Sequence, residues 1–271
     1  MWRTSTGTGP ARSGAPATAG APGAALRCDG LTWRIGGVPI LEQVSLTAAP
    51  GEFIGVIGPN GAGKTSLFNA VSGLYRPSAG RILLHRHDIT GLPVHRRTRL
   101  GLGRTFQSSA VFTTMSVVDH VRLARRARRT GLDLWRGARQ DPRVNDEADR
   151  YLADVGLARY ADRPAGQLSH GDRRKLEIAL LLAGEPTVVL LDEPFAGVAA
   201  PDIPDLITVI RGLTRDNPDR TVLMVEHHME AVLHLADRIA VLHHGSLLAF
   251  DTPEAVMADR TVQEAYLGEQ A

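Results

Sequence analysis

Cysteine is almost missing from this chain. Its one thiol, Cys28, excludes an intramolecular disulfide framework and fits a reducing compartment. Cys28 precedes a strand-like segment with no partner motif beside it, which argues against a catalytic thiol. Lysine is nearly as scarce, standing only at Lys64 and Lys175. Because arginine replaces it along the whole chain, the bias reads as genome composition. No excess of charge of one sign is present either: 31 basic and 29 acidic side chains leave a formal charge of +2. That margin does not mark a nucleic-acid binder, although the isoelectric point is near 9.0. Long apolar runs are absent too. A bilayer-crossing helix needs about 20 consecutive apolar residues, and Ile178–Gly184 and Val188–Leu191 are far shorter. Met1–Ala25 lacks the continuous apolar core of a secretory leader. Its Gly, Ala, Pro, Ser and Thr content predicts a disordered tail.

What is present is enough for one large α/β domain, or a domain with a subdomain: 271 residues, 43% of them hydrophobic. Leu31–Ile35 and Leu41–Ala48 read as strands around the turn Gly36-Gly37. Phe53–Ile57 is a short apolar run entering a glycine-rich loop, and Ser66–Ser72 leaves it as a helix. Between about Thr105 and Ala165 the character changes, with helical segments at Val117–Arg129 and Glu147–Val155 and a loop over Thr130–Asn145. Strand-like runs return at Val188–Leu191, Val222–Val225 and Ile239–His243. They are separated by helical stretches at Arg173–Ala183, Ile203–Thr214 and Met229–Ala236. The pattern predicts a nucleotide-binding α/β core interrupted by a mostly helical insertion, with no internal repeat.

Gly58-Pro59-Asn60-Gly61-Ala62-Gly63-Lys64-Thr65, followed by Ser66, matches the P-loop pattern in full between a buried strand and a helix. Glycines let backbone N–H groups wrap phosphate oxygens, and the helix N-terminus adds a favourable dipole. Lys64 places a cation on the β- and γ-phosphates, and the Thr65 hydroxyl suits Mg²⁺. The bland alternative, a glycine turn joining strand to helix, explains neither Lys64 nor Thr65. Kinases and GTPases share this loop, so it says only that a nucleoside triphosphate is handled. Val188-Val189-Leu190-Leu191-Asp192-Glu193 supplies a second half: a doubly covered parallel strand with two acids at its C-terminal end, where open α/β sheets bind ligands. Asp192 is placed to hold the Mg²⁺ shell, and Glu193 to polarise an attacking water as general base.

Leu168-Ser169-His170-Gly171-Asp172 resembles the signature loop of ATP-binding cassette proteins. On its own it reads as a helix N-cap by Ser169, but it lies between the P-loop and the acidic strand. The resemblance implies that Ser169 and Gly171 bind the γ-phosphate held by a second cassette subunit, so that two ATP molecules sit in a head-to-tail dimer. Arg104-Thr105-Phe106-Gln107 resembles the family's Q-loop, which implies that Gln107 contacts Mg²⁺ and water beside the surface facing a membrane subunit. Glu226-His227 resembles the switch region, where the histidine contacts the γ-phosphate. Alone, His227 reads as a surface histidine. A metal site from Glu226, His227 and His228 is disfavoured because neighbouring residues do not converge on one ion, and the doublet His243-His244 reads as an exposed strand–turn. The family fold implied is a P-loop ATPase domain over residues 26–268, with a mainly parallel core sheet, an antiparallel β subdomain and a helical subdomain from about 105 to 165 that runs into the signature helix.

Two positions depart from the family pattern. Ala199 stands where Asp or Asn is usual, and Ile35 where an aromatic ring commonly stacks on adenine, with Trp33 as a partial substitute on the same strand face. Arg104–Gln107, Val111-Phe112, Ser169–Asp172, Leu176–Ala179, Val225–Met229 and Glu264–Gly268 together resemble the branched-chain amino acid importer branch, close to urea and amide importers and to the lipopolysaccharide-export ATPase. That implies ATP and Mg²⁺ as cofactors and a peripheral place on the cytoplasmic face of the plasma membrane. The implied partners are membrane permeases, a second cassette and, indirectly, a solute-binding protein. The competing class, a permease-free cassette on nucleic acid or ribosomes, is disfavoured by the single cassette and short insertion. Arg122, Arg125, Arg126 and Arg129 are expected on the solvated face of an amphipathic helix, and no nucleic-acid partner is expected.

Overall fold

The computed structural model describes residues 23–105, 111–128 and 142–267. Two strands at the start, β1 (Leu26–Ile35) and β2 (Val38–Ala48), form an antiparallel hairpin. Its turn glycines, Gly36 and Gly37, have φ of 57° and 86°, the left-handed backbone that a two-residue hairpin turn requires. β1 also pairs antiparallel with β4 (Ala79–Leu84), which turns into β5 (His87–Asp88), so the first sheet has the order β2-β1-β4-β5. Ala25 belongs to this layer, since it is fully buried and its N–H bonds to Ala48 at 2.9 Å.

The second sheet contains β3 (Phe53–Ile57), β6 (Leu102–Arg104), β7 (Val188–Asp192), β8 (Thr221–Val225), β9 (Arg238–His243) and β10 (Ser246–Asp251). Their order is β10-β9-β3-β8-β7-β6, and every pair is parallel except β10 on β9. The central strands are apolar without interruption because both faces are covered. Side-chain alternation then sorts them. Phe53, Val189, Leu191, Val222, Met224, Ile239 and Val241 join a core shared with the helices, while Ile54, Val56, Val188, Leu190, Leu223, Val225 and Leu242 join a core shared with the antiparallel sheet.

Helix α1 (Lys64–Ser72) belongs to the second of these cores through Leu67, Phe68, Ala70 and Val71. It ends on Gly73, left-handed at φ 87°. Its last carbonyls are also met by a buried arginine from α2 (Val94–Arg99): Arg97 Nη1 donates to Ala70 and Val71, each at 2.7 Å. A cation at a helix C-terminus complements the helix dipole. Arg97 is only 1% exposed, and burial pushes its pKa down. Nothing in the polar string His95-Arg96-Arg97-Thr98-Arg99 announces a buried side chain.

The other core is covered by α3 (Val117–Arg128), α4 (Pro142–Asp154), α5 (His170–Ala183), α6 (Ile203–Arg215) and α7 (Met229–Leu235), followed by α8 (Pro253–Ala258) and α9 (Arg260–Leu267). α4 starts before the expected Glu147, and α5 starts before Arg173. The arginine cluster also differs from expectation. Arg125 does not face solvent: its side chain is 13% exposed, and its guanidinium reaches Glu147 of α4 at 3.1 Å and Glu185 at 3.0 Å. Arg122 pairs with Asp119 on its own helix at 3.1 Å, and Arg129 lies outside the described residues.

Candidate functional site

Parallel pairing of β3, β8 and β7 brings three strand ends to one edge of the sheet, in register at Val56–Val225 and Val225–Asp192. β3 runs from that edge into the P-loop. Gly58 there has φ 152°, and a Cβ on it would lie 2.1 Å from the Leu242 carbonyl oxygen of β9, so only glycine fits. Gly245, in the turn after β9, donates its N–H to the Ala62 carbonyl at 3.0 Å and so ties the loop to the far strand. The His243–His244 doublet spans the end of β9 and that turn, and only His244 is exposed.

Gly63 (φ 100°) is the N-cap residue of α1, and the helix has no side-chain cap. Its first N–H groups are therefore free of the competitor that Ser, Thr or Asp would supply, as an anion site requires. Lys64 is folded over the loop, with Nζ donating to the Gly58 carbonyl at 2.6 Å and the Pro59 carbonyl at 2.8 Å. Asn60, Gly61 and Thr65 are exposed, Pro59 and Ser66 half-buried, and Ala62 buried.

Asp192 ends β7 with its carboxylate fully buried. Oδ2 accepts from Arg104 Nη2 at 2.7 Å, while Oδ1 is buried without a hydrogen-bond partner. A bare buried carboxylate oxygen calls for an occupant, and a hard cation, which takes oxygen ligands, fits it. Next along the chain, Glu193 adopts φ 47° and donates its N–H to Val225 at 2.9 Å. A left-handed non-glycine backbone directly after a strand is strained by about 1–2 kcal/mol, and such strain clusters at functional sites.

Glu226, after β8, joins this edge in a way the sequence did not reveal. Its buried carboxylate accepts the N–H of Phe195 at 2.9 Å through Oε1, and those of His227 and His228 at 3.0 and 3.2 Å through Oε2. One side chain thus splices the loop after Glu193 to the loop carrying His227. Its carboxylate oxygens are directed to backbone N–H groups. His227 itself projects outward, its side chain 72% exposed. Phe106 and Gln107 lie outside the described residues.

The signature segment lies at a different helix start. Ser169 is the N-cap of α5, its hydroxyl accepting the Asp172 N–H at 3.1 Å, and both Ser169 and His170 are exposed. Gly171 is buried against the next loop, since a Cβ there would lie 2.9 Å from Asp202 Cβ. Asp202 in turn donates its N–H to the carbonyl of Ala199, an exposed residue, at 2.8 Å. The expected aromatic substitute is already engaged: Trp33 stacks on Tyr75 with ring centroids 4.4 Å apart, and Ile35 is 55% exposed. Cys28 is buried, and desolvation pushes its thiol up to about 12, which makes it inert.

Comparison with known proteins agrees with this geometry. Residues 41–196 match the family described as ABC transporter, and residues 246–271 the one described as branched-chain amino acid ATP-binding cassette transporter. LivG of Escherichia coli (strain K12), a high-affinity branched-chain amino acid transport ATP-binding protein, is 38% identical over 252 residues, 90% of this chain and 98% of LivG. BraF of Pseudomonas aeruginosa, named in the same terms, is 38% identical over 251 residues, 90% of this chain and 98% of BraF. LptB of Acidithiobacillus ferridurans, a lipopolysaccharide export system ATP-binding protein, is 37% identical over 231 residues, 85% of this chain and 91% of LptB. Among solved structures, the ADP conformation of MJ1267, an ATP-binding cassette of an ABC transporter, has a TM-score of 0.80 at 28% identity, covering 90% of this chain and 99% of that one.

Proposed function

The chain belongs to the ATP-binding cassette family of transporter ATPases, and on that premise we propose that it binds ATP with Mg²⁺ at the P-loop edge and hydrolyses it to drive import of branched-chain amino acids through separate permeases. The observation that carries the site assignment is the bare Asp192 Oδ1 on the sheet edge that also launches the P-loop. Gly58 through Ser66 form the phosphate cradle: backbone N–H groups of the loop and the α1 N-terminus surround the β-phosphate, and Lys64 swings from its carbonyl partners onto the phosphate oxygens. Thr65, Asp192 and Gln107 would hold Mg²⁺, which when bound offsets phosphate charge. Glu193 orients the attacking water and accepts its proton, and His227 contacts the γ-phosphate.

Because Ser169 and His227 are exposed, the site in this reading is completed by a second cassette, whose Ser169 and Gly171 close over the nucleotide. No helix among the described residues is long and apolar enough to cross a membrane. The family likeness supports assigning membrane passage to permease subunits, with this chain peripheral on the cytoplasmic face and a solute-binding protein acting indirectly. A cavity of about 570 Å³ lies between α1, α2 and β6 on one side and α3 and α5 on the other, walled by apolar side chains such as Val94, Leu102, Leu180 and Leu181. It suits a permease's cytoplasmic helix. The match at 246–271 favours amino-acid cargo, while the LptB likeness keeps lipopolysaccharide export as the second reading.

Two variants test the ATPase assignment. Lys64→Ala is expected to lower hydrolysis at least about 10³-fold with weakened nucleotide binding. Glu193→Gln is expected to lower turnover about 10²–10³-fold while retaining ATP and accumulating a dimer on size-exclusion chromatography. Wild-type turnover in Glu193→Gln removes that residue from the chemistry. Uptake of labelled leucine, isoleucine and valine in a deletion strain without a redundant system tests the cargo, and undiminished uptake overturns it.

A further inference from the structure

Arg104 is the residue of this site that the nucleotide chemistry leaves unexplained. It ends β6, next to β7 in the sheet, and its side chain is 9% exposed. Both terminal nitrogens of its planar fork are engaged, while Nε is buried without a hydrogen-bond partner. Nη1 donates to Asn69 Oδ1 at 2.7 Å and Ser72 Oγ at 2.8 Å, both on α1, while Nη2 donates to Asp192 Oδ2 at 2.7 Å. The guanidinium also lies 5.9 Å from the centroid of the Phe68 ring, again on α1. Ser72 is fixed as an acceptor here because its own hydroxyl proton goes to the Asn69 carbonyl at 3.3 Å. The helix that begins at the phosphate loop and the carboxylate that ends β7 are thus joined through one guanidinium.

We propose that Arg104 is a positioning residue for the metal site. It holds Asp192 by one oxygen and fixes the carboxylate plane, so that Oδ1 is left as the sole ligand oxygen, at a set distance from the helix that carries Thr65. The inference rests on the nucleotide-site reading above. Charge alone does not account for the arrangement. A lysine would neutralise Asp192 equally well, but as a point charge it could not orient a carboxylate through a rigid fork anchored on two α1 side chains. Thr105, the next residue, adds a second restraint by accepting the Asp192 N–H at 3.1 Å. Arg104 also lines the 570 Å³ cavity, so the metal carboxylate and the cavity share this side chain.

The test measures the affinity of the full chain for a non-hydrolysable fluorescent ATP analogue, first in EDTA and then at saturating Mg²⁺. The ratio of the two dissociation constants is the gain that the metal provides. Arg104→Lys, which keeps the charge and loses the fork, is expected to reduce that gain at least five-fold and leave the EDTA affinity within two-fold of wild type. Bound Mn²⁺ in the same variant should give an altered electron paramagnetic resonance spectrum. Ser72→Ala removes one support of the fork and is expected to reduce the gain about two-fold, so it carries the test should Arg104→Lys fail to fold. An unchanged metal gain in folded Arg104→Lys overturns the proposal. So does a loss in which EDTA affinity and melting temperature fall together with the gain, because a merely structural role has that pattern. Failure of the wild-type chain to bind the analogue at all overturns the nucleotide-site reading itself, and this inference with it.

Discussion

The two helix N-termini singled out by the motifs, those of α1 and α5, are finished in opposite ways. α1 starts on a left-handed glycine with no side-chain cap, behind a loop in which Gly58 tolerates no Cβ. α5 starts on Ser169, which caps the Asp172 N–H from an exposed position. A helix start leaves four N–H groups without intrahelical partners. On the proposed reading α1 keeps that deficit for a phosphate, and the Gly245 N–H on the Ala62 carbonyl ties the loop to the turn after β9. At α5 one of these groups, the Asp172 N–H, is met by the Ser169 hydroxyl within the chain, and Ser169 and His170 stay exposed. One end is an uncapped helix start behind a glycine loop and the other a capped, exposed one, the difference expected if the first holds a phosphate by itself and the second closes over a partner's nucleotide, as proposed above.

The comparison can be broken at three points. The largest effect is expected at the cradle. Gly58→Ala meets the Leu242 carbonyl oxygen at 2.1 Å on a backbone that cannot yield without moving β9, and a loss of roughly 3 kcal/mol or more is expected from overpacking and backbone strain together. Thermal melting checks it against Gly61→Ala, where a Cβ meets nothing within 4 Å and only the backbone term of about 1 kcal/mol applies. Equal melting temperatures for the two variants would mean that the loop is not braced by β9.

At the signature loop, Ser169→Arg should change stability by only about 1 kcal/mol, the worth of an N-cap, yet reduce hydrolysis at least about ten-fold. Mixed with Lys64→Ala subunits, it should regain activity above either variant alone, because one composite site in the mixed dimer is intact. No recovery, with heterodimers demonstrated by a tagged pull-down, would make α5 an ordinary capped helix. The smallest effect is expected at Ala199. Its methyl offers no polar contact to a second subunit, so Ala199→Asp should alter the rate or cooperativity of hydrolysis a few-fold at most with ATP affinity unchanged. Steady-state kinetics over a range of ATP concentrations would show it, and identical curves would make the departure silent.

Much of the cradle was legible beforehand because it is written in contiguous residues. The apolar runs at 53–57, 188–191 and 222–225 have the length and apolarity of buried strands, and the glycine loop and the acids follow them directly. The short strands β4, β5 and β6 and the edge strand β10 were not legible, since their burial is set by neighbours rather than by their own period. The side chains that join elements escaped for the same reason. Arg97 looks like a surface residue of a polar helix until the α1 carbonyls are placed against it. Arg125 follows a solvent-facing spacing, yet its carboxylates come from α4 and Glu185. Trp33, the candidate adenine platform, carries Tyr75 stacked on one face of its ring, a contact the sequence does not announce.

By itself, then, the sequence determined the chemistry. A glycine loop with Lys64 and Thr65, a strand ending in Asp192 and Glu193, and a Ser169–Gly171 helix start are local patterns whose meaning depends on backbone geometry a few residues long. Only the tertiary structure decided which charges those groups face. It set Arg104 on one oxygen of Asp192 and left the other bare, and it placed the Glu226 carboxylate between the loops of Glu193 and His227. The partners in these contacts lie 88 and 31 residues apart for the Arg104–Asp192 and Phe195–Glu226 bonds. Electrostatic and hydrogen-bonding interactions act through distances of a few ångströms, and those are fixed by how parallel strands align at one sheet edge, not by order along the chain.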